Sequence, residues 1–135
     1  ERGEGFNDTI SQYPGIQVVA REVADFNREK GKTVTAHLFA QGLEVEAIFA
    51  HNDEMILGAI ETIETLRNGQ RKLPSVLVGF DATPDAIESV KHGALTATIA
   101  QKPEEMGWQA IQAAVKALRG EQLPSPILVD LTRIE

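Results

Sequence analysis

Four side chains able to hold a ligand stand where apolar runs of the sequence end. Phe26 follows IQVVAREV, Asn52 follows AIFAH, Asp81 follows VLVGF and Gln101 follows LTATIA. Each run is short and rich in branched or aromatic residues, and a helical pattern comes after it, so each reads as a strand aiming polar groups out of its carboxyl end. Open α/β sheets bind ligands at that edge, where strand ends and helix N-termini converge on a crevice. A carboxylate, two amides and an aromatic ring suit a polyol. Each hydroxyl donates one hydrogen bond and accepts two, while the ring covers the apolar C–H face of a sugar. Bonds to charged groups contribute roughly 1.5–3 kcal/mol each, so a handful supports micromolar affinity, about 8 kcal/mol. Local readings compete: Asn52 and Asp81 as helix caps, Phe26 as core, Gln101 as a surface loop residue, and Arg2 as a solvated helix charge.

Other chemistries are poorly represented. The sequence has no G-x-S-x-G elbow, P-loop, H-E-x-x-H or G-x-G-x-x-G motif, so no enzyme is expected, and no cofactor or metal is called for. Gly3 and Gly5 form only an R-G-E-G fragment within a helix start. His37, His51 and His92 lie at spacings that suggest no shared metal; of the three only His51, beside Asn52, stands near the strand ends. Cysteine is absent, which excludes disulfides and thiolate chemistry and fits an oxidising compartment. The net charge of −7 argues against nucleic acid as a partner, and RNGQRK at 67–72 reads as a solvated helix exit and loop. No apolar run approaches the roughly 18 residues of a membrane span. The opening ERGEGF has neither an initiator Met nor a signal peptide, so a processed product or a fragment is expected.

The elements that must position these residues follow in order. Residues 1–12 read as a helix, with Phe6 and Ile10 on one face and Tyr13-Pro14-Gly15 ending it. Residues 16–23 read as a strand, 28–41 as a helix stopped by Gly42, and 47–50 as a strand. Asp53 stands as cap or first-turn residue of a helix over 54–67 with an apolar stripe, terminated by Gly69. A strand over 75–78 leads to Thr83 as cap and Pro84 at N1 of a helix over 84–91. Residues 95–100 alternate as a strand. A long helix then runs to Leu118, with Met106, Trp108, Ile111, Val115 and Leu118 expected on its buried side, and 127–134 is a last extended segment. Alternating elements of this length in 135 residues imply one α/β unit, a parallel sheet with helices on both faces joined by right-handed crossovers.

ERGEGF, ADF, FAHNDEMILGAI, VGFDATPDAIESVKHGALTATIAQKPEEMG and a closing LRGE, in that order, resemble the type I periplasmic sugar-binding proteins, most closely the ribose-binding group. The resemblance covers essentially the whole chain. It implies the periplasmic-binding-protein-like I fold, in which a pentose lies between two α/β lobes that close by hinge bending. It assigns five sugar contacts: Arg2 from RERGEGF, Phe26 stacking on the sugar from ADF, Asn52 from FAxND, Asp81 from VGFD and Gln101 from TIAQ. It also implies that residues 1–101 form the second lobe without its first strand, that 102–130 return to the first lobe, and that 131–135 are the last hinge and tail. The first lobe and its contacts are then absent, to be supplied by another segment or chain, and the 135 residues alone should bind sugar very weakly. The function implied is the periplasmic receptor of a sugar ABC importer, taking ribose or a related aldose and presenting it to a membrane permease. The alternative on the same fold is the sugar-responsive effector domain of a lac-repressor-type regulator.

Overall fold

In the computed structural model, which describes residues 2–67, 69 and 72–135, the helices lie close to the ranges read from the sequence. Glu1 of the first helix and Asn68, Gln70 and Arg71 of the RNGQRK patch lie outside the described residues. Helix α1 spans Arg2–Ile10, α2 Arg28–Ala40, α3 Asp53–Leu66, α4 Pro84–Lys91 and α5 Pro103–Leu118. Asn27 Oδ1 accepts from the amide of Lys30 at 3.0 Å to cap α2, and Asn52 Oδ1 accepts from Met55 at 3.0 Å to cap α3. Thr83 caps α4 with Pro84 in the first turn, so α2, α3 and α4 each have one otherwise orphaned N–H satisfied by a side chain, while α5 has no such cap.

The strands are β1 Ala47–Phe49, β2 Val76–Asp81, β3 Ala97–Ala100 and β4 Thr132–Ile134, hydrogen-bonded in that order. β1–β2 and β2–β3 are parallel, in register Ala47 with Val76 and Val78 with Ala97. The chain is thus α/β with a mainly parallel sheet, and the carboxyl ends of β1, β2 and β3 share one edge. Helix α3 is the centre of the core. Ile56, Ala59, Ile60 and Ile63 are buried with Phe39 of α2, Leu77 of β2, Ala86 of α4 and Leu95. Two glycines let α2 and α3 come together: a Cβ on Gly31 would stand 2.4 Å from the Met55 carbonyl oxygen, and one on Gly58 would stand 2.0 Å from that of Arg28.

Three sequence expectations are corrected here. Residues 16–23 form no strand, because a strand exists only with a ladder partner and these residues have none among those described. Ile16, Val19 and Val23 are accordingly exposed. The final strand is antiparallel, Thr98 pairing with Ile134 and Ala100 with Thr132. Residues 119–131 return the chain to the carboxyl end of β3, and from there it can only run back along that strand. Finally, the stripe on α5 is not buried: Trp108 is 64% exposed and Leu118 90%, with Met106, Ile111 and Val115 also open. An apolar stripe is buried only by something that packs on it. Leu123, Pro124 and Ile127 lie beside α5, lining a hollow with Trp108 and Ala113.

Candidate functional site

The five sequence-predicted residues gather at the sheet edge in two linked groups. In the first, Asp81 ends β2 and its Oδ1 accepts from Arg2 Nη2 at 2.8 Å and from Gln101 Nε2 at 2.6 Å. Arg2, at the start of α1, also donates through Nη1 to the carbonyl oxygen of His51, and its guanidinium lies 4.0 Å from the centre of the Phe80 ring. One side chain therefore joins the ends of β1 and β2. Arg2 is not a solvated helix charge: both it and Asp81 keep under a third of their side-chain surface exposed. Nor does Asp81 cap α4, a task taken by Thr83. Asp81 Oδ2 has no partner among the described residues, which leaves a carboxyl oxygen able to accept from ligand hydroxyls.

Asn52 and Phe26 form the second group. Asn52 is buried; its Oδ1 caps α3, and its Nδ2 donates to the Phe26 carbonyl oxygen at 3.4 Å, a weak bond. The cap reading of Asn52 is thus correct, yet it occupies only part of the amide's capacity. The Phe26 ring is not core, since 60% of the residue is exposed. A large aromatic ring left open beside polar groups is a surface on which an apolar ligand face can rest.

The backbone is strained at both groups. Positive φ values among the described non-glycine residues fall on Asp25 (46°) and Phe26 (55°), and on Asp81 (118°) and Ala82 (54°). Each such residue costs of order 1–3 kcal/mol and persists only where surrounding bonds fix it. Around Asp81 those bonds come from two residues that the sequence reading did not single out as functional. Asp53, fully buried in the first turn of α3, accepts from Thr98 Oγ1 at 2.7 Å and from the Thr83 amide at 2.7 Å. Thr98 Oγ1 in turn accepts from the Ala82 amide at 3.1 Å. Gly79 leaves room for this carboxyl group, since a Cβ there would lie 2.3 Å from Asp53 Oδ1. An acid in a first turn reads as a dipole partner; only its burial reveals the second task. Phe80, under Arg2, also escaped notice because it reads as an ordinary strand residue.

An ion network surrounds the rim. Arg28 donates to Glu54 through Nε at 3.0 Å and Nη2 at 2.8 Å, and to Asp85 at 2.8 Å. The hydrogen bond with Glu54, then that with Asp85, holds the Arg28 pKa above its already high ordinary value. The first turns of α2, α3 and α4 are so tied together just outside Phe26, Asn52 and Asp81. These pairs are half-exposed, and their worth lies more in geometry than in energy.

Among known proteins, the model of the family described as periplasmic binding protein domain matches residues 1–122. The ribose import binding protein of Haemophilus influenzae is 44% identical over 131 residues, covering 97% of this chain and 43% of that protein. That of Bacillus subtilis is 42% identical over 131 residues, covering 97% and 41%. In structure, an ABC transporter periplasmic solute-binding protein from Actinobacillus succinogenes with bound D-allose aligns with a TM-score of 0.80 at 30% identity, covering 97% of this chain and 46% of that one. The chain therefore spans less than half the length of these relatives. The family is one of substrate-binding proteins of ABC transporters and not of enzymes. With its sheet and these similarities taken together, the chain belongs to the periplasmic binding protein family.

Proposed function

We propose that this chain is the second-lobe portion of a periplasmic receptor for a sugar ABC importer, binding ribose or a related aldose. The carrying observation is Asp81: Arg2 and Gln101 converge on one carboxyl oxygen, while the other has no partner among the described residues. A sugar with adjacent hydroxyls donates to that second oxygen, Arg2 and the amides of Asn52 and Gln101 meet its oxygens, and the Phe26 ring takes its C–H face. Residues 1–101 form this half of the cleft. Residues 102–130 return to the first lobe, which explains the uncovered stripe on α5, and 131–135 are the last hinge and tail. Binding draws the lobes together, and the closed form is presented to the membrane permease; no covalent bond changes.

The names of the relatives support this reading. Curated proteins 42–44% identical to this chain are ribose import binding proteins, and an ABC transporter solute-binding protein from Bacillus halodurans with bound myo-inositol aligns at a TM-score of 0.80. Periplasmic location and the permease partner follow from the same reading. Isothermal titration of the full-length protein against ribose, allose, galactose, glucose and arabinose tests it. One sugar should bind at micromolar concentration or below, and heat from none of them would remove the receptor assignment.

A further inference from the structure

We infer that Asp53 and Thr98 are positioning residues that hold Asp81 in its ligand-accepting orientation. The inference rests on the receptor reading and adds to it two residues that need not touch the sugar. Asp81 and Ala82 adopt consecutive left-handed backbone conformations, at φ 118° and 54°, which L-residues keep only under restraint. The two amides that follow Asp81 are each restrained from below. The Thr83 amide donates to Asp53 Oδ2 at 2.7 Å, and the Ala82 amide donates to Thr98 Oγ1 at 3.1 Å. The Thr98 hydroxyl can serve as that acceptor because its own proton goes to Asp53 Oδ1 at 2.7 Å. The three bonds join the turn that carries Asp81 to one carboxylate in the first turn of α3 by two routes, the Thr83 amide directly and the Ala82 amide through Thr98.

Both side chains are fully shielded from solvent, Asp53 and Thr98 each at 0% exposure. Neither therefore offers surface to a ligand, and a buried carboxyl group costs stability unless its acceptors are used. Asp53 also immediately follows Asn52, the cap of α3. One two-residue step of sequence therefore sets an amide at the end of β1 and fixes the carboxylate at the end of β2. Without the restraint the turn relaxes toward ordinary backbone angles, the competent orientation of Asp81 becomes a fraction of the population, and apparent affinity falls by that fraction.

The test uses the full-length protein with D-ribose as probe and titration calorimetry as readout, with thermal unfolding of the free protein beside it. Thr98→Val keeps the β-branched shape but removes the hydroxyl; it should bind about tenfold or more weakly at unchanged stoichiometry, well below its unfolding temperature. Thr98→Ser should return affinity to within about threefold of the parent. In an Asp81→Asn background, Thr98→Val should cost little more, because it acts through Asp81. Should Thr98→Val fail to fold, Asp53→Asn, which retains volume and one acceptor, takes its place with the same expectation. If the variant binds within twofold of the parent while Asp81→Asn binds poorly, the positioning role is wrong and the receptor reading stands; full additivity with Asp81→Asn overturns it equally. If Asp81→Asn binds as the parent does, or the parent ignores D-ribose and its relatives, the receptor reading itself fails and takes the inference with it.

Discussion

Arg2 carries more of the candidate site than any single position suggests, because its planar fork meets an aromatic ring on one face while its two terminal nitrogens bond His51 and Asp81. A lysine offers a single ammonium group that cannot stack in this way or reach both acceptors in one plane. Arg2→Lys in the full-length protein should therefore weaken sugar binding by about tenfold or more, roughly 1.4 kcal/mol, as read by titration calorimetry; an unchanged affinity would mean that the fork is ornamental to the site. At this scale the sequence was partly legible. Asn52, Asp81 and Gln101 stand out from their neighbours because each closes an apolar run, and that position can be read locally. Arg2 cannot be found that way, since its partners lie 49 and 79 residues distant; only the likeness of ERGEGF to a family motif singled it out. Asp53 was read in its local task alone, because burial is a property of the packed chain.

Among the elements, α3 decides whether the rest can assemble. It packs against α2 where Gly58 faces the Arg28 carbonyl, and it carries Asp53 beneath Gly79 of β2. Gly58→Ala should destabilise the protein by roughly 1–3 kcal/mol or more through overpacking against backbone, measured by denaturant unfolding. Gly79→Ala should lower stability to a similar extent and weaken ligand binding as well, since its Cβ displaces the carboxyl group that holds the Asp81 turn. A Gly58→Ala protein with parental stability would show that α2 and α3 separate at little cost. The starts of α3 and α4 were readable from Asn52, Asp53, Thr83 and Pro84, as caps are local chemistry, whereas Asn27, which caps α2, was not read as a cap. The failures at 16–23 and on the stripe of α5 have one cause. Their apolar residues were recognised correctly, but what pairs with them or covers them does not come from neighbouring residues in sequence.

For the whole molecule, that cause becomes a prediction. The chain spans 43% of the length of its Haemophilus influenzae relative and leaves Trp108, Ile111, Leu118, Leu128 and Val23 open to water. Exposed apolar surface of this extent seldom stays free. Residues 1–135 produced alone should self-associate, running larger than a monomer in size-exclusion chromatography with light scattering, and Trp108→Glu with Ile111→Glu should shift them toward monomer. A well-folded monomer without those changes would argue against the surface as a buried interface. The same 135 residues should bind sugar only very weakly, since a ligand held from one side keeps its other hydroxyls in water. The account depends most on Asp81, where α1, β2 and the end of β3 meet. The most direct measurement is titration calorimetry of the full-length protein with its preferred aldose, with Asp81→Ala in parallel. The account predicts micromolar or tighter binding by the parent and a loss of at least about a hundredfold in the variant, roughly 2.7 kcal/mol, with the fold intact; equal affinity in the two proteins would contradict it.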